Sequence, residues 1–364
     1  MRISEVGEFG LIERIKRALP QPGAEVVVGI GDDVAVLKSG GPEYLLATCD
    51  VQAENVHFLR SAITPYQLGR RIAAINLSDI AAMGGVPQWA LVSLALPPEL
   101  ETEFVDALYQ GMQEELGRGG AAIVGGNLSG IEKDIVIDLC LLGKVLPEHL
   151  LLRSGARRGD LIMVTGALGD SRAGCELIRD AGLAVSEGCR ELARERHLTP
   201  QPRLQEGQVL GRSGLVHAMA DVSDGILGDL GHICRASRVG AELWLGNIPV
   251  GAAAREVAQA AGQDVVNWAL TGGEDYELLF TVASECAAEV QKMLKEETGT
   301  LCHVVGQVIE ELEGVQMRLE DGKRTGSNIG VGGWDHFAGL GRGETGRDEE
   351  RGLVWRGLSG GNRG

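Results

Sequence analysis

The chain has 364 residues, with 34 basic side chains against 51 acidic ones and a net charge of −17. That length allows two domains with a sizeable core, and that charge argues against nucleic acid or an anionic membrane as the main partner. It suits a protein that gathers divalent cations with carboxylates.

No apolar run approaches membrane-spanning length, and the first eleven residues lack a signal-peptide core, so the expected compartment is the cytoplasm. The seven Cys and seven His are scattered, with no CxxC pair and no HExxH motif. This points to reduced thiols and away from a disulfide framework or a zinc site.

Taken in order, Phe9, Ile12, Ile15 and Leu19 predict an opening helix, closed by Pro20 and Pro22. Residues 25–30 read as a strand, Gly31-Asp32-Asp33 as the turn leaving it, and 34–37 and 44–50 as two more strands. A polar loop with His57 leads to a helix within 65–84. A strand at 88–95 follows, then a helix marked by Phe104, Leu108, Met112 and Leu116. An apolar strand at 121–126 is expected to end in the turn Gly125-Gly126-Asn127, and 135–145 reads as a long strand.

The character changes at the basic link Arg153-Ser154-Gly155-Ala156-Arg157-Arg158-Gly159, and the domain boundary is placed just before it, giving 1–148 and 149–341. The second half reads as a strand at 161–165, a helix to about residue 180, and a strand at 218–221. Asp221-Val222-Ser223-Asp224-Gly225 then opens a helix to about residue 236. Further strands are expected at 241–245, 276–281, 304–309 and 315–319, with a helix at 283–297. Residues 342–364 are rich in Gly, Arg and Glu and read as a disordered tail. Helices alternating with strands imply an α/β or α+β layer fold.

Asp79 breaks the helical pattern. Leu68, Ile72, Ile75 and Met83 form one stripe, and Asp79 falls in its middle. A bare buried carboxylate costs several kcal/mol unless it is neutralised, paired or metal-bound. The nearest cation on the helix, Arg71, is two turns back and rotated off the stripe.

Other carboxylates stand where apolar strands stop: Asp32-Asp33, Asp50, Asp221 with Asp224, and Glu274-Asp275. Singly, each fits turn or cap chemistry. Strand ends converge on one sheet edge, where two carboxylates about 5 Å apart repel by roughly 3 kcal/mol at an effective dielectric of 20. A cluster without His or Cys ligands is a Mg²⁺–phosphate site first. There is no GxxxxGK[ST] loop and no HRD or DFG set, which excludes Walker and protein-kinase sites.

Gly7-Glu8-Phe9, Gly29-Ile30-Gly31-Asp32-Asp33, Asn76-Leu77-Ser78-Asp79-Ile80-Ala81-Ala82-Met83-Gly84, Asp221-Val222-Ser223-Asp224-Gly225 and Gly272-Gly273-Glu274-Asp275-Tyr276-Glu277-Leu278 together resemble the thiamine-monophosphate kinases. These belong to the aminoimidazole-ribonucleotide-synthetase (AIR synthase) superfamily. The resemblance implies two α/β domains, the second with a mixed sheet and helices, and a homodimer formed by the N-terminal sheets. It implies ATP and several Mg²⁺ between the domains, and direct transfer of the γ-phosphoryl group of ATP to thiamine monophosphate. By position, Asp33, Thr48, Cys49, Asp50, Asp79, Asn127, Asp221 and Asp224 would hold Mg²⁺, with Asp79, Asp50 and Asn127 nearest the chemistry. Gly126, Asn127, Arg153 and Ser223 would contact ATP, and His57, Glu274 and Trp334 would contact thiamine monophosphate.

Two positions depart from the family pattern. Thr48-Cys49-Asp50 stands where Ser/Thr-Thr-Asp is usual, and Asn127 where Asp is usual. Two rival readings stand beside this one: another enzyme of the superfamily, and a nucleotide-binding dimer that has lost catalysis.

Overall fold

The computed structural model describes residues 3–310, 314–319 and 324–326. Trp334 and the 342–364 tail lie outside them.

The chain builds two sheets with helices against them. The opening helix α1 (Ile3–Ala18) is kinked at Gly7. The first sheet contains β1 (Val26–Val28), β2 (Ala35–Lys38), β3 (Tyr44–Ala53), β4 (Val86–Leu96), β5 (Ala122–Gly130) and β6 (Val136–Val145). Its order is β1-β2-β3-β6-β4-β5, antiparallel except for the β4–β5 pair. Two helices, α2 (Pro65–Ala82) and α3 (Thr102–Arg118), belong to this half.

The second sheet contains β7 (Leu161–Thr165), β8 (Val216–Asp221), β9 (Gly240–Trp244), β10 (Leu278–Val282), β11 (Cys302–Ile309), β12 (Val315–Arg318) and β13 (Arg324–Gly326), in the order β13-β12-β9-β11-β7-β10-β8. It is mixed, since β12 runs parallel to β9 while its other pairs are antiparallel. The helices of this half are α4 (Asp170–Arg179), α5 (Glu187–Leu198), α6 (Leu204–Ser213), α7 (Ile226–Ser237), α8 (Ala252–Ala261), α9 (Val265–Thr271) and α10 (Ala287–Thr298).

The helix α2 is the axis of the molecule. Thr64 caps it in a reciprocal box with Gln67, and Pro65 occupies its first turn, where a missing N–H does no harm. It crosses α3 closely enough that a Cβ at Gly69 would lie 2.0 Å from the Leu108 carbonyl, and one at Gly111 would lie 2.0 Å from the Tyr66 carbonyl. The stripe read from the sequence is too narrow. From Arg71 to Ala82 every residue except Asp79 is buried, because β3, β6, α3, α6 and β8 surround the helix. Asp79 is the one partly exposed position in that run.

Two further expectations change. Gly126 and Asn127 do not form a turn: β5 continues through them to Gly130, with Asn127 opposite Ser93 of β4. The helices α5, α6, α8 and α9 were not anticipated.

Candidate active site

On β3 the side chains alternate between faces. Thr48, Asp50 and Gln52 lie on the inner side, while Cys49 and Val51 lie on the outer, exposed side. Thr48 Oγ1 donates to Asp79 Oδ2 at 2.5 Å, and the Asp50 carboxyl is close enough to interact with that of Asp79. Asp33 enters from the turn after β1, and Asp221 from the end of β8. One carboxylate oxygen each from Asp33, Asp79 and Asp221 lie within 4.8 Å of one another. Ser78, fully buried beside Asp79, donates to Asp221 Oδ2 at 2.6 Å. Asp33 Oδ2 is buried and lacks a hydrogen-bond partner.

Arg153 supplies the counter-charge. Its Nε donates to Asp33 Oδ1 at 3.0 Å, its Nη2 also donates to Asp33, and its backbone N–H donates to the Asp32 carboxylate at 3.2 Å. One guanidinium does not balance the group. Burial, then Asp50, Asp221 and Asp33, push the Asp79 carboxyl well above its usual range. Burial and Asp33 raise Asp221 to about 7. Burial, with Glu8 next, raises Asp224 to about 7, and burial with Asp33 raises Asp32 to about 7. Burial likewise raises Asp50. These are hard oxygen donors, too crowded to ionise together and including one unpartnered atom, which is a donor set that fits Mg²⁺.

Asp224 follows on the loop into α7. Its backbone N–H is held by Asp229 Oδ2 at 3.2 Å. Ser223 lies on the same loop, and its carbonyl accepts from the Glu274 N–H at 2.8 Å. Glu274 is therefore tied to the Asp221–Gly225 loop through its backbone. Its carboxylate points the other way, to Arg71 of α2. His57 accepts at Nδ1 from the Ala53 N–H at 3.0 Å and lines a small cleft with Phe58, Ile63, Arg71, His197 and Leu198.

Cys49 and Asn127 are not brought to the carboxylate group. The Cys49 thiol donates to Asp138 Oδ1 at 2.9 Å on the outer face. Asn127 lies on β5, three strands from β3, a separation of about 14 Å. Gly126 shares that edge strand, which is exposed over nearly its whole length.

Sequence reasoning missed Ser78, Asp229, Arg71 and His197. Asp229 carried a signal, a carboxylate between Leu227 and Leu230 in an apolar turn. Ser78 lay inside a quoted motif. Arg71 was set aside because it lies off a stripe that is only part of the helix's buried surface.

The AIR synthase related protein N-terminal domain model matches residues 31–145, and the C-terminal domain model matches 157–317. The thiamine-monophosphate kinase of Aquifex aeolicus is 38% identical over 340 residues, spanning 93% of this chain and 100% of that protein. The enzyme of that name from Escherichia coli K12 is 33% identical, spanning 91% and 98%. Among solved structures, AaThiL complexed with AMPPCP and TMP is 35% identical with a TM-score of 0.78, covering 92% of this chain and 99% of that one. The thiamine-monophosphate kinase of Stenotrophomonas maltophilia K279a is 33% identical with a TM-score of 0.71, covering 87% and 97%. E. coli HypE, at 20% identity and a TM-score of 0.62, shares the fold over 78% of this chain and 85% of its own. Two domain matches covering most of the chain, and full-length relatives above 30% identity, lead to one conclusion: this chain belongs to the AIR synthase related family and, within it, to the thiamine-monophosphate kinases.

Proposed function

We propose that this chain transfers the γ-phosphoryl group of ATP to the phosphate of thiamine monophosphate, giving ADP and thiamine diphosphate. The observation that carries the reading is the group Asp33, Asp79 and Asp221, with oxygens within 4.8 Å and Arg153 as the guanidinium set against it. Asp33, Thr48, Asp50, Asp79, Asp221 and Asp224 would hold the Mg²⁺ ions. Bound Mg²⁺ supplies neutralisation of the phosphate charges of both substrates.

The chain's own residues orient the partners. Thr48 and Ser78 fix the Asp79 and Asp221 carboxylates. Arg153 and Ser223 meet the nucleotide phosphates, and His57 and Glu274 meet the acceptor. Trp334 is assigned to the acceptor on the resemblance alone. An acceptor phosphate oxygen attacks the γ-phosphorus as the bond to the ADP oxygen breaks, so no covalent nucleophile is needed. The AMPPCP and TMP in the Aquifex complex are the ligands of that protein, and the pair supports the same two substrate classes here.

We also assign residues 1–148 to nucleotide binding and dimerisation, 149–341 to completing the site, and the protein to the cytoplasm. Among the described residues, no helix is long and apolar enough to cross a membrane. The dimer is assigned to the outer face of the first sheet, where Val51, Trp89 and Leu91 are exposed beside the bare strand β5. Cys49, Gly126 and Asn127 then serve metal and nucleotide only through the assembled pair.

A coupled assay tests the reading. Thiamine diphosphate should form from thiamine monophosphate only with both ATP and Mg²⁺ present. ATP use without that product would point to another acceptor in the same superfamily. No turnover with retained nucleotide binding would point to lost catalysis.

A further inference from the structure

We infer that Arg71 is a positioning residue that selects the organic end of the acceptor, by fixing the Glu274 carboxylate between its own guanidinium and His197, two residues that also line the small cleft at His57. The inference rests on the proposed thiamine monophosphate kinase reading and gives Arg71 a role that reading does not assign.

Arg71 is 1% exposed, an unusual place for a guanidinium unless all its donors are met. Three segments meet them. Nε donates to Gln52 Oε1 of β3 at 3.2 Å, Nη1 donates to the His197 carbonyl at the end of α5, and Nη2 donates to Glu274. The second Glu274 oxygen lies 3.4 Å from His197 Nδ1, which also meets Ser171 Oγ at 3.1 Å. Burial, then Arg71 and Arg172, hold His197 well below its usual range, so it is neutral and Arg71 carries the charge that faces Glu274.

The backbone was built to present this carboxylate. Glu274 has φ 68° and Tyr276 φ 51°, both in the left-handed region that non-glycine residues avoid. The strain is held by the Glu274 N–H on the Ser223 carbonyl, the Tyr276 N–H on the Val222 carbonyl at 2.9 Å, and the Asp275 carboxylate capping Gly169 and Ser171 N–H groups at 2.7 and 3.3 Å. A loop strained at the half-open carboxylate residue itself and again two residues later is a recognition feature rather than a connector.

The spacing on α2 gives the end of the substrate it recognises. Arg71 and Asp79 are eight residues apart, about 12 Å along the helix and about 80° around it. Asp79 stands at the phosphate end. A point 12 Å away reaches the far side of an extended two-ring phosphate ester. A carboxylate fixed by a buried guanidinium, with His57 and His197 nearby, suits a heteroaromatic group that carries N–H donors.

The test uses the full chain with Arg71→Lys, Glu274→Gln and the double variant. Steady-state kinetics are read for both substrates, together with calorimetric binding of thiamine monophosphate in the presence of a non-hydrolysable ATP analogue. Lysine keeps the charge but lacks the planar fork that lets one guanidinium reach Gln52, the His197 carbonyl and Glu274 together. Either single variant should raise the KM and the dissociation constant for thiamine monophosphate by roughly tenfold or more, with the KM for ATP within about twofold. The double variant should be no worse than the poorer single one. A thiazole phosphate lacking the pyrimidine, used as a competitive inhibitor, should be bound alike by all four proteins.

Equal rises in both KM values, unchanged acceptor binding, or single effects that multiply in the double variant would overturn the inference. If Arg71→Lys does not fold, Arg71→Gln takes its place in the cycle with Glu274→Gln and is read by the same criteria. An inactive wild type instead overturns the parent reading, and this inference with it.

Discussion

The two ends of α2 solve opposite problems. At Asp79, carboxylates from four segments crowd against one guanidinium, and the protein answers by pushing several of them toward the protonated form. At Arg71, a single buried charge finds three acceptors and needs nothing more. The Asp79 end is left short of counter-charge by folding, whereas the Arg71 end is finished by folding alone. Removing the charged residue should therefore act in opposite directions on stability at the two ends.

The largest effect is expected from Asp79→Asn. Turnover should fall by roughly 10²–10³-fold or more, on the scale of losing one preorganised electrostatic group at a reacting centre. Thermal melting without Mg²⁺ should be unchanged or raised, because one like charge leaves the cluster. A variant that melts much lower and still turns over would make Asp79 structural.

Arg71→Met gives the contrast. Breaking this buried pair leaves Gln52, the His197 carbonyl and Glu274 without their donor, and should cost about 3 kcal/mol in urea unfolding. Equal urea midpoints for variant and parent would show that the Arg71 end is not finished by folding.

The third effect is on pH. In chelator, Asp221 and Asp224 have folded pKa values near 7 against a reference of 3.8. The folded state then binds more protons than the unfolded one between these values. Stability linked to these groups is fully present below about pH 4, declines as pH rises, and is lost above 7. Melting temperature in chelator should fall from pH 5.5 to pH 8 through these groups, and Mg²⁺ at pH 8 should restore it. The slope should flatten in Asp221→Asn. A melting temperature in chelator that climbs over the same interval, with no flattening in the variant, would contradict the assignment.

The smallest effect is expected from Asn127→Asp. It lies three strands away from β3, so melting in chelator should shift by less than about 0.5 kcal/mol equivalent. If a second copy completes the site, the Mg²⁺ concentration for half-maximal rate should drop a few-fold. That drop should vanish in a Trp89→Glu background that blocks sheet pairing. A drop that survives in the monomer would contradict the dimer assignment.

Much of this was legible from local pattern. The Gly turns beside Asp33, Asp224 and Glu274, the apolar periodicity of the first three helices and the motif strings each depend on neighbours a few residues apart, so most strands, the helices of the first half and most of the carboxylates could be read locally. It could not determine faces. The reading joined Cys49 to Thr48 and Asp50, yet strand alternation sends its thiol to Asp138 on the far side of the sheet. It placed Asn127 in a turn, whereas pairing with β4 extends the strand through it. It set Arg71 aside as lying off the apolar stripe, because a period of 3.6 reports one face and α2 is buried on all of them. Which oxygens of Asp33, Asp79 and Asp221 meet, and that Arg71 reaches Glu274 across 203 residues of chain, were decided only by packing. Short-range chemistry fixes what each segment is, but charges from distant segments are brought within a few ångströms only when the burial of the whole core pays for their desolvation.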